Sequence, residues 1–436
     1  MFNNILRFTQ KKSEFLYNNS LLANYLDKFI FASIIFVYIS SVYFPSDIIG
    51  FIALIAVFFS FVKLLMKSDE KLEANSFELW LLAYFMIVII SLFGSTLFHL
   101  SLKGFFKTFT YMSFYLSIVQ YLKNNRKHIL YILGTIGLCV SFEAVIGFLQ
   151  NFAHVSEIST WQDVSQLNPE QVMTRVYGTL KPLNPNLLGG YFVGGIPVLY
   201  GLSAYFIPDK KYNISFVWLI LAVLSTVTLF LTGCRGSYIG MLVILCGMFG
   251  ISAKFLWKNF KNIYLFAVGT VITFVTTVII LSASLRARVL SIFAMRQDSS
   301  NSFRFNVYHS SIDMFKDNWL LGIGIGNQNF REIYGLYMKT GFDALSAYNI
   351  FLEIGVESGI FALVAFVGFL ITLIKKSLEY IQKSENVKNV IIVSTALISI
   401  CAVCVHGFVD TVFFRPQIQF VFWTMVAIVR VCIKLI

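Results

Sequence analysis

Apolar and polar positions alternate along the chain in long blocks. Twelve mainly apolar runs, at 29–44, 48–66, 77–98, 104–122, 129–149, 186–206, 215–234, 236–251, 263–283, 347–374, 390–408 and 418–433, are separated by polar breaks. Crossing a hydrocarbon core of about 30 Å takes roughly 20 apolar residues in a helix. The pattern therefore predicts an all-α polytopic integral membrane protein with about twelve transmembrane helices. The seventh and eighth runs are divided only by the break at Arg235. Two connections are long, about 150–185 and 284–346, and long ordered connections tend to carry function. Within the second, Tyr308, Ile312, Phe315 and Trp319 recur at helical spacing in Asn301–Leu320, which predicts a helix lying on the membrane surface. With no internal repeat, low-complexity stretch or linker, residues 1–436 read as a single membrane domain.

Composition agrees with this reading: 57% hydrophobic, 13% charged and a mean hydropathy of +0.75 exclude a water-soluble globule. The formal charge of +12 forms no continuous basic stripe, so no nucleic-acid partner is expected. The charge instead orients the chain. Under strict alternation 21 of the 34 basic residues fall on one side, assigned to the cytoplasm with both termini. Residues 1–28 are polar and no small-residue cleavage site follows the first run, so the N-terminus is expected to be retained. The six cysteines are too few for a disulfide framework and read as small membrane hydrophobes.

The type of base also changes between the two sides. The cytoplasmic set is almost all lysine, whereas eight of the thirteen outer bases are arginine: Arg175, Arg235, Arg286, Arg288, Arg296, Arg304, Arg331 and Arg415. A planar guanidinium grips phosphate or carboxylate through two parallel hydrogen bonds, which an ammonium cannot do. The concentration of arginine points to an anionic ligand on the outer face; taken singly, each arginine has pairing with an outer acid or a lipid headgroup as its simpler explanation. Ionisable groups inside apolar runs are costly and tend to be paired or functional. Glu143, Arg235, Glu353, Glu357, His406, Asp410 and Arg415 all fall at the outer ends of their runs. That placement suits a polar pocket open to the outer leaflet, and it also admits buried ion pairs such as Arg235 with Glu353.

Other motifs have plainer readings. The glycines of 320–330 follow no strand and predict a turn rather than a nucleotide loop. Gly190 with Gly194, and Gly236 with Gly240, have the spacing of close helix packing. Cys401 and Cys404 lie mid-run without a second pair, so no metal is expected.

TGCRGSYIG (232–240), FRFNVYHSSIDMFKDNWLLGIGIGNQNF (303–330) and AYNIFLEIGVESGI (347–360) resemble the O-antigen ligase and polymerase superfamily. Together with NPNLLGGY (184–191) and HGFVDTVFFRPQ (406–417), they resemble more closely its cyanobacterial subgroup labelled inorganic-carbon (bicarbonate) transporters. The resemblance covers most of 170–430. It implies a glycosyltransferase of polysaccharide biosynthesis in the bacterial inner membrane. Such an enzyme moves a glycan from an undecaprenyl-pyrophosphate-type carrier to an acceptor at the outer face, with no metal or nucleotide cofactor. Its pyrophosphate-holding arginines map onto Arg235 and Arg304; Arg175 or Arg415, from the outer arginine set, is expected to assist them. The histidine that activates the acceptor hydroxyl in the ligase motif AHNxxLE is replaced here by Tyr348, beside Asn349 and Glu353. A phenol is a weaker base than imidazole at neutral pH. Tyr348 and His309 are therefore the catalytic candidates, and Asn349, Glu353, His406 and Asp410 support the pocket, with His406 a second possible base. The alternatives are a bicarbonate transporter and a lipid-linked glycan binder without catalysis.

Overall fold

Helix is the only regular structure available to a chain in hydrocarbon that does not close a barrel, because each backbone N–H and C=O must be bonded within the segment. A computed structural model of the protein describes residues 2–20, 23–67, 74–153, 174–294 and 298–433, and no strand occurs among them. The chain forms α1 (Phe2–Asn19), α2 (Leu26–Ser41), α3 (Ser46–Met66), α4 (Ser76–Gly94), α5 (Phe98–Asn124), α6 (Ile129–Phe152), α7 (Pro185–Phe206) and α8 (Tyr212–Leu231). It continues with α9 (Arg235–Leu281), α10 (Ala283–Leu290), α11 (Ser299–Asp317), α12 (Asn327–Tyr334), α13 (Ile350–Lys383), α14 (Val387–His406) and α15 (Pro416–Ile433).

Nine of these are long and apolar enough to cross a membrane. One of the nine, α9, covers two predicted runs and bends at Phe260, whose φ of −134° and ψ of 30° leave the helical region. A helix also stands at each remaining predicted run. The 16 residues of α2 are short for a span, and α5 carries Lys103, Lys107 and Lys123 among its apolar residues.

Starts are set locally by side chains that accept the free N–H groups of a first turn. Asn75 and Glu78 form a reciprocal capping box on α4. Asn184 caps α7 just before Pro185, and Asn349 caps α13 by accepting from Phe351 and Leu352. Small residues then set helix separation. A methyl at Gly240 would lie 2.9 Å from Val193, and one at Gly236 would lie 2.5 Å from His406. Thus α7, α9 and α14 pack through the two GxxxG patterns predicted to do so.

The core is built around α7, α14 and α15, and α13 packs along α4. Near one end of the bundle, Arg430 of α15 pairs with Glu78 at 2.6 Å, and Tyr115 donates to the other Glu78 oxygen at 2.8 Å. The second half of α9 turns Ile263, Phe266, Phe274 and Leu281 outward, an apolar face suited to lipid.

The connection predicted as a loop over 284–346 is largely helical, containing α10, α11 and α12. The predicted surface helix is α11, with a corrected buried face. Val307, Ser310, Ser311 and Met314 point inward, while Ile312 and Trp319 are exposed. Val307 and Met314 pack with Phe330 and Tyr334 of α12 and Val356 of α13, so the segments that follow α11 decide which of its faces is covered. Most of the other long connection, 154–173, lies outside the described residues, as does Arg296.

Candidate functional site

Helices α3, α7, α9, α13 and α15 all begin near one end of the bundle, where a cavity of about 1050 Å³ opens between them. Each turns the positive end of its dipole to that side, which favours an anion.

The α8–α9 turn organises the basic wall. Gly233 takes φ +61°, which turns consecutive carbonyls away from the helices. The Thr232 carbonyl accepts from Arg175 Nε at 2.8 Å, and the Gly233 carbonyl accepts from Arg288 Nε at 2.7 Å. The next residue but one is Arg235, which pairs with Asp298 at 2.9 Å and donates to the Ser291 carbonyl at 3.2 Å. The ion pair with Glu353 suggested by sequence is therefore replaced by one with Asp298.

A second chain of bonds runs across the cavity. Arg175 donates to Asn186 Oδ1 at 2.6 Å, Asn186 donates to Asp410 at 3.1 Å, and Asp410 lies 3.5 Å from Arg304. The other Asp410 oxygen caps the Thr411 and Val412 amides. Arg304 Nε is buried and has no hydrogen-bond partner among the described residues, an expensive state for a charged donor. Its guanidinium lies 5.8 Å from the ring centre of Tyr348. Arg415 lines the same cavity without a carboxylate partner among the described residues.

Five of the eight arginines placed on the outer side by sequence thus meet here: Arg175, Arg235, Arg288, Arg304 and Arg415. Arg288 was not singled out by its motif, although its membership of the outer arginine set was legible. Burial lowers the pKa of Arg175. Burial, reinforced by Arg175, brings Arg288 down to about 10, so Arg288 remains cationic at neutral pH. Arg331 instead pairs with Asp343 on the exposed surface, and exposed Arg286 bonds the Ile280 carbonyl.

The other singled-out residues divide. Tyr348 lines the cavity with φ +52°, a left-handed conformation unusual for an aromatic residue, and burial followed by Asp410 raises its phenol pKa. Glu353 and Glu357 line the cavity one turn apart. Asn349 acts as a cap. His406 sits behind the wall, its Nε2 3.7 Å from Cys234 Sγ. His309 is exposed on α11 and is not among the lining residues. Glu143 is held away from the cavity, accepting from the Thr179 amide at 2.9 Å.

Cys234 departs from the reading of all cysteines as membrane hydrophobes, because it lines the cavity. Burial raises its thiol pKa, but the bonded His406 outweighs this and brings it down to about 7. Cys234, His406 and Asp410 place ligand atoms within 4.8 Å of one another. Asp410 is already engaged by two amides, Asn186 and Arg304, and neighbouring guanidiniums repel a cation. The set therefore fits an anion-binding wall better than a metal centre.

The same cavity is also lined by apolar side chains, among them Phe51, Leu54, Phe106, Phe366 and Trp423. It thus combines a cluster of buried positive charge with apolar surface. Residues 220–367 match the family model for O-antigen ligase. A search of curated proteins finds no match. The O-antigen ligase match runs from α8 into the first part of α13 and contains Arg235, Arg288, Arg304, Tyr348, Glu353 and Glu357. It supports the O-antigen ligase superfamily and, in general terms, membrane glycan transfer with a lipid-linked glycan as substrate.

Proposed function

We propose that this protein transfers a glycan from an undecaprenyl-pyrophosphate-type carrier to a hydroxyl acceptor, at the outer face of a bacterial inner membrane and with both termini cytoplasmic. One observation carries the reading: the partnerless Arg304 Nε in a cluster of five arginines, within a cavity that apolar side chains also line. A pyrophosphate supplies the acceptors the cluster lacks, and a polyprenyl chain suits the apolar side chains. Arg235 and Arg304 hold the pyrophosphate, with Arg175, Arg288 and Arg415 completing its surroundings. As its bond to the sugar breaks, negative charge grows on the leaving phosphate, and fixed guanidiniums stabilise it without rearranging. Tyr348, stacked near Arg304, orients the reacting groups. In this reading His309 serves the surface of α11 and takes no part in the chemistry.

Cells lacking the gene should accumulate undecaprenyl-pyrophosphate-linked glycan, measured by mass spectrometry of extracted lipids, and the wild-type gene should clear it. Loss of labelled bicarbonate uptake with no change in lipid-linked glycan would instead favour transport.

Tyr348→His is expected to retain transfer or raise it a few-fold. Histidine tolerates the left-handed backbone more readily than tyrosine, and an imidazole can keep the orienting hydrogen bonds that a phenol makes. Loss of transfer in a stably produced Tyr348→His protein would show that the phenol itself is required.

A further inference from the structure

Transfer to a hydroxyl needs a group that removes the hydroxyl proton, and few cavity groups have capacity to do so. Tyr348 has its phenol pKa raised by burial. Asp410 is saturated by four donors, Asp298 is paired with Arg235, and the exposed Asp47 sits at the start of α3. His406 lies behind the wall against Cys234. The Cys234 thiol is engaged by His406, and of the buried lining carboxyls Glu353 and Glu357 remain.

Both are buried, both line the cavity, and neither forms an ion pair among the described residues. Glu353 accepts from the Ala347 amide at 3.2 Å, and Glu357 Oε1 accepts from the Gly326 amide at 2.9 Å. Glu357 has the firmer backbone. Its carbonyl accepts from Gly324 N–H and Ser91 Oγ, each at 2.9 Å, and the preceding Val356 carbonyl accepts from Ile323 N–H at 3.0 Å. The helix is interrupted just beyond, at Gly359, so the turn over 321–326 reaches these carbonyls. Lys107 of α5 and Tyr84 of α4 line the same cavity, and Glu353 stands one helical turn before Glu357. One carboxylate oxygen is thereby fixed, and the other has no hydrogen-bond partner among the described residues.

We propose that Glu357 is the general base that accepts the proton of the acceptor hydroxyl. This rests on the glycan-transfer reading above. The hydroxyl oxygen attacks the anomeric carbon of the donor sugar and forms a new carbon–oxygen bond. The bond from that carbon to the pyrophosphate oxygen breaks, and its electron pair leaves on the phosphate facing the arginines. The hydroxyl proton passes to the partnerless oxygen of Glu357 and from there to water. Glu353 is a positioning residue that keeps the pocket polar beside it.

Wild type, Glu357→Gln, Glu357→Asp and Glu353→Gln are compared in gene-deleted cells by the rate at which labelled lipid-linked glycan is consumed. The purified full-length proteins are compared in detergent for binding of radiolabelled undecaprenyl pyrophosphate. Glu357→Gln should slow consumption by about 100-fold or more while changing carrier binding less than threefold. Glu357→Asp should recover part of the rate, because a carboxylate is restored on a shorter stem. Consumption by Glu357→Gln within threefold of wild type would overturn the assignment, as would parallel loss of carrier binding, which would mark the residue as a wall of the site. Wild type that neither binds the carrier nor consumes the glycan would fail the underlying reading, and the assignment with it.

Discussion

Arg304→Lys and Arg235→Lys should each lower glycan transfer by about 100-fold or more, although both substitutions keep the charge. Each arginine divides its guanidinium between a protein anchor and the cavity. Arg235 spends one nitrogen on Asp298 and the Ser291 carbonyl, while Arg304 leans on Asp410 and leaves Nε without a partner. An ammonium on a flexible stem can hold the aspartate or a phosphate, but it cannot present the planar fork that binds both together. The assay is the clearance of lipid-linked glycan in gene-deleted cells, with protein level and carrier binding measured alongside. Wild-type clearance by the lysine variants would mean that the cluster supplies only positive potential, and the two-point recognition of pyrophosphate would be wrong.

Gly359→Ala should destabilise the protein by about 3 kcal/mol or more and weaken carrier binding at the same time. Gly359 has φ +80° and ψ 178°, a region open essentially to glycine alone. A methyl there would stand 2.2 Å from the Leu320 carbonyl oxygen. The Ile360 amide donates to the Trp319 carbonyl at 2.8 Å, so the clash falls on the backbone connection that docks α11 and the following turn onto α13. Displacing that turn removes the Gly326 amide from Glu357 and opens the cavity wall. Gly134→Ala is the control, because nothing lies within 4 Å of its added methyl. The measurement is the apparent unfolding temperature of both proteins in detergent, together with binding of undecaprenyl pyrophosphate. Equal unfolding temperatures for Gly359→Ala and wild type would show that the break in α13 is not held by this contact.

Local periodicity made much of the architecture legible. The apolar runs had to become helices because a membrane leaves the backbone no other bonding partner, and the helical spacing of 301–320 marked α11. The glycines of 320–330 do form a turn, with Gly322, Gly324 and Gly326 at positive φ. The gathering of arginine in the same set of connections was likewise readable, and five of those eight arginines line one cavity.

Which groups meet was decided by tertiary packing. Arg235 pairs with Asp298 rather than Glu353 because the α8–α9 turn aims it at the 291–298 segment. Cys234 meets His406 across 172 residues of sequence, through the close approach of α9 and α14 at Gly236. His309 and Arg331 share the connection that carries Arg304, yet they face away from the cavity, since rotation about a helix axis separates neighbours in sequence. By itself the sequence determined the helical class, the positions of the spans and the set of connections in which arginines collect, because these follow from hydrophobicity and spacing within single segments. Only the tertiary structure decided which five arginines share a cavity, that α13 breaks at Gly359, and that Glu357 faces the space beside them. Those outcomes depend on helix rotation and on hydrogen bonds between distant segments, and a periodicity confined to one helix contains neither.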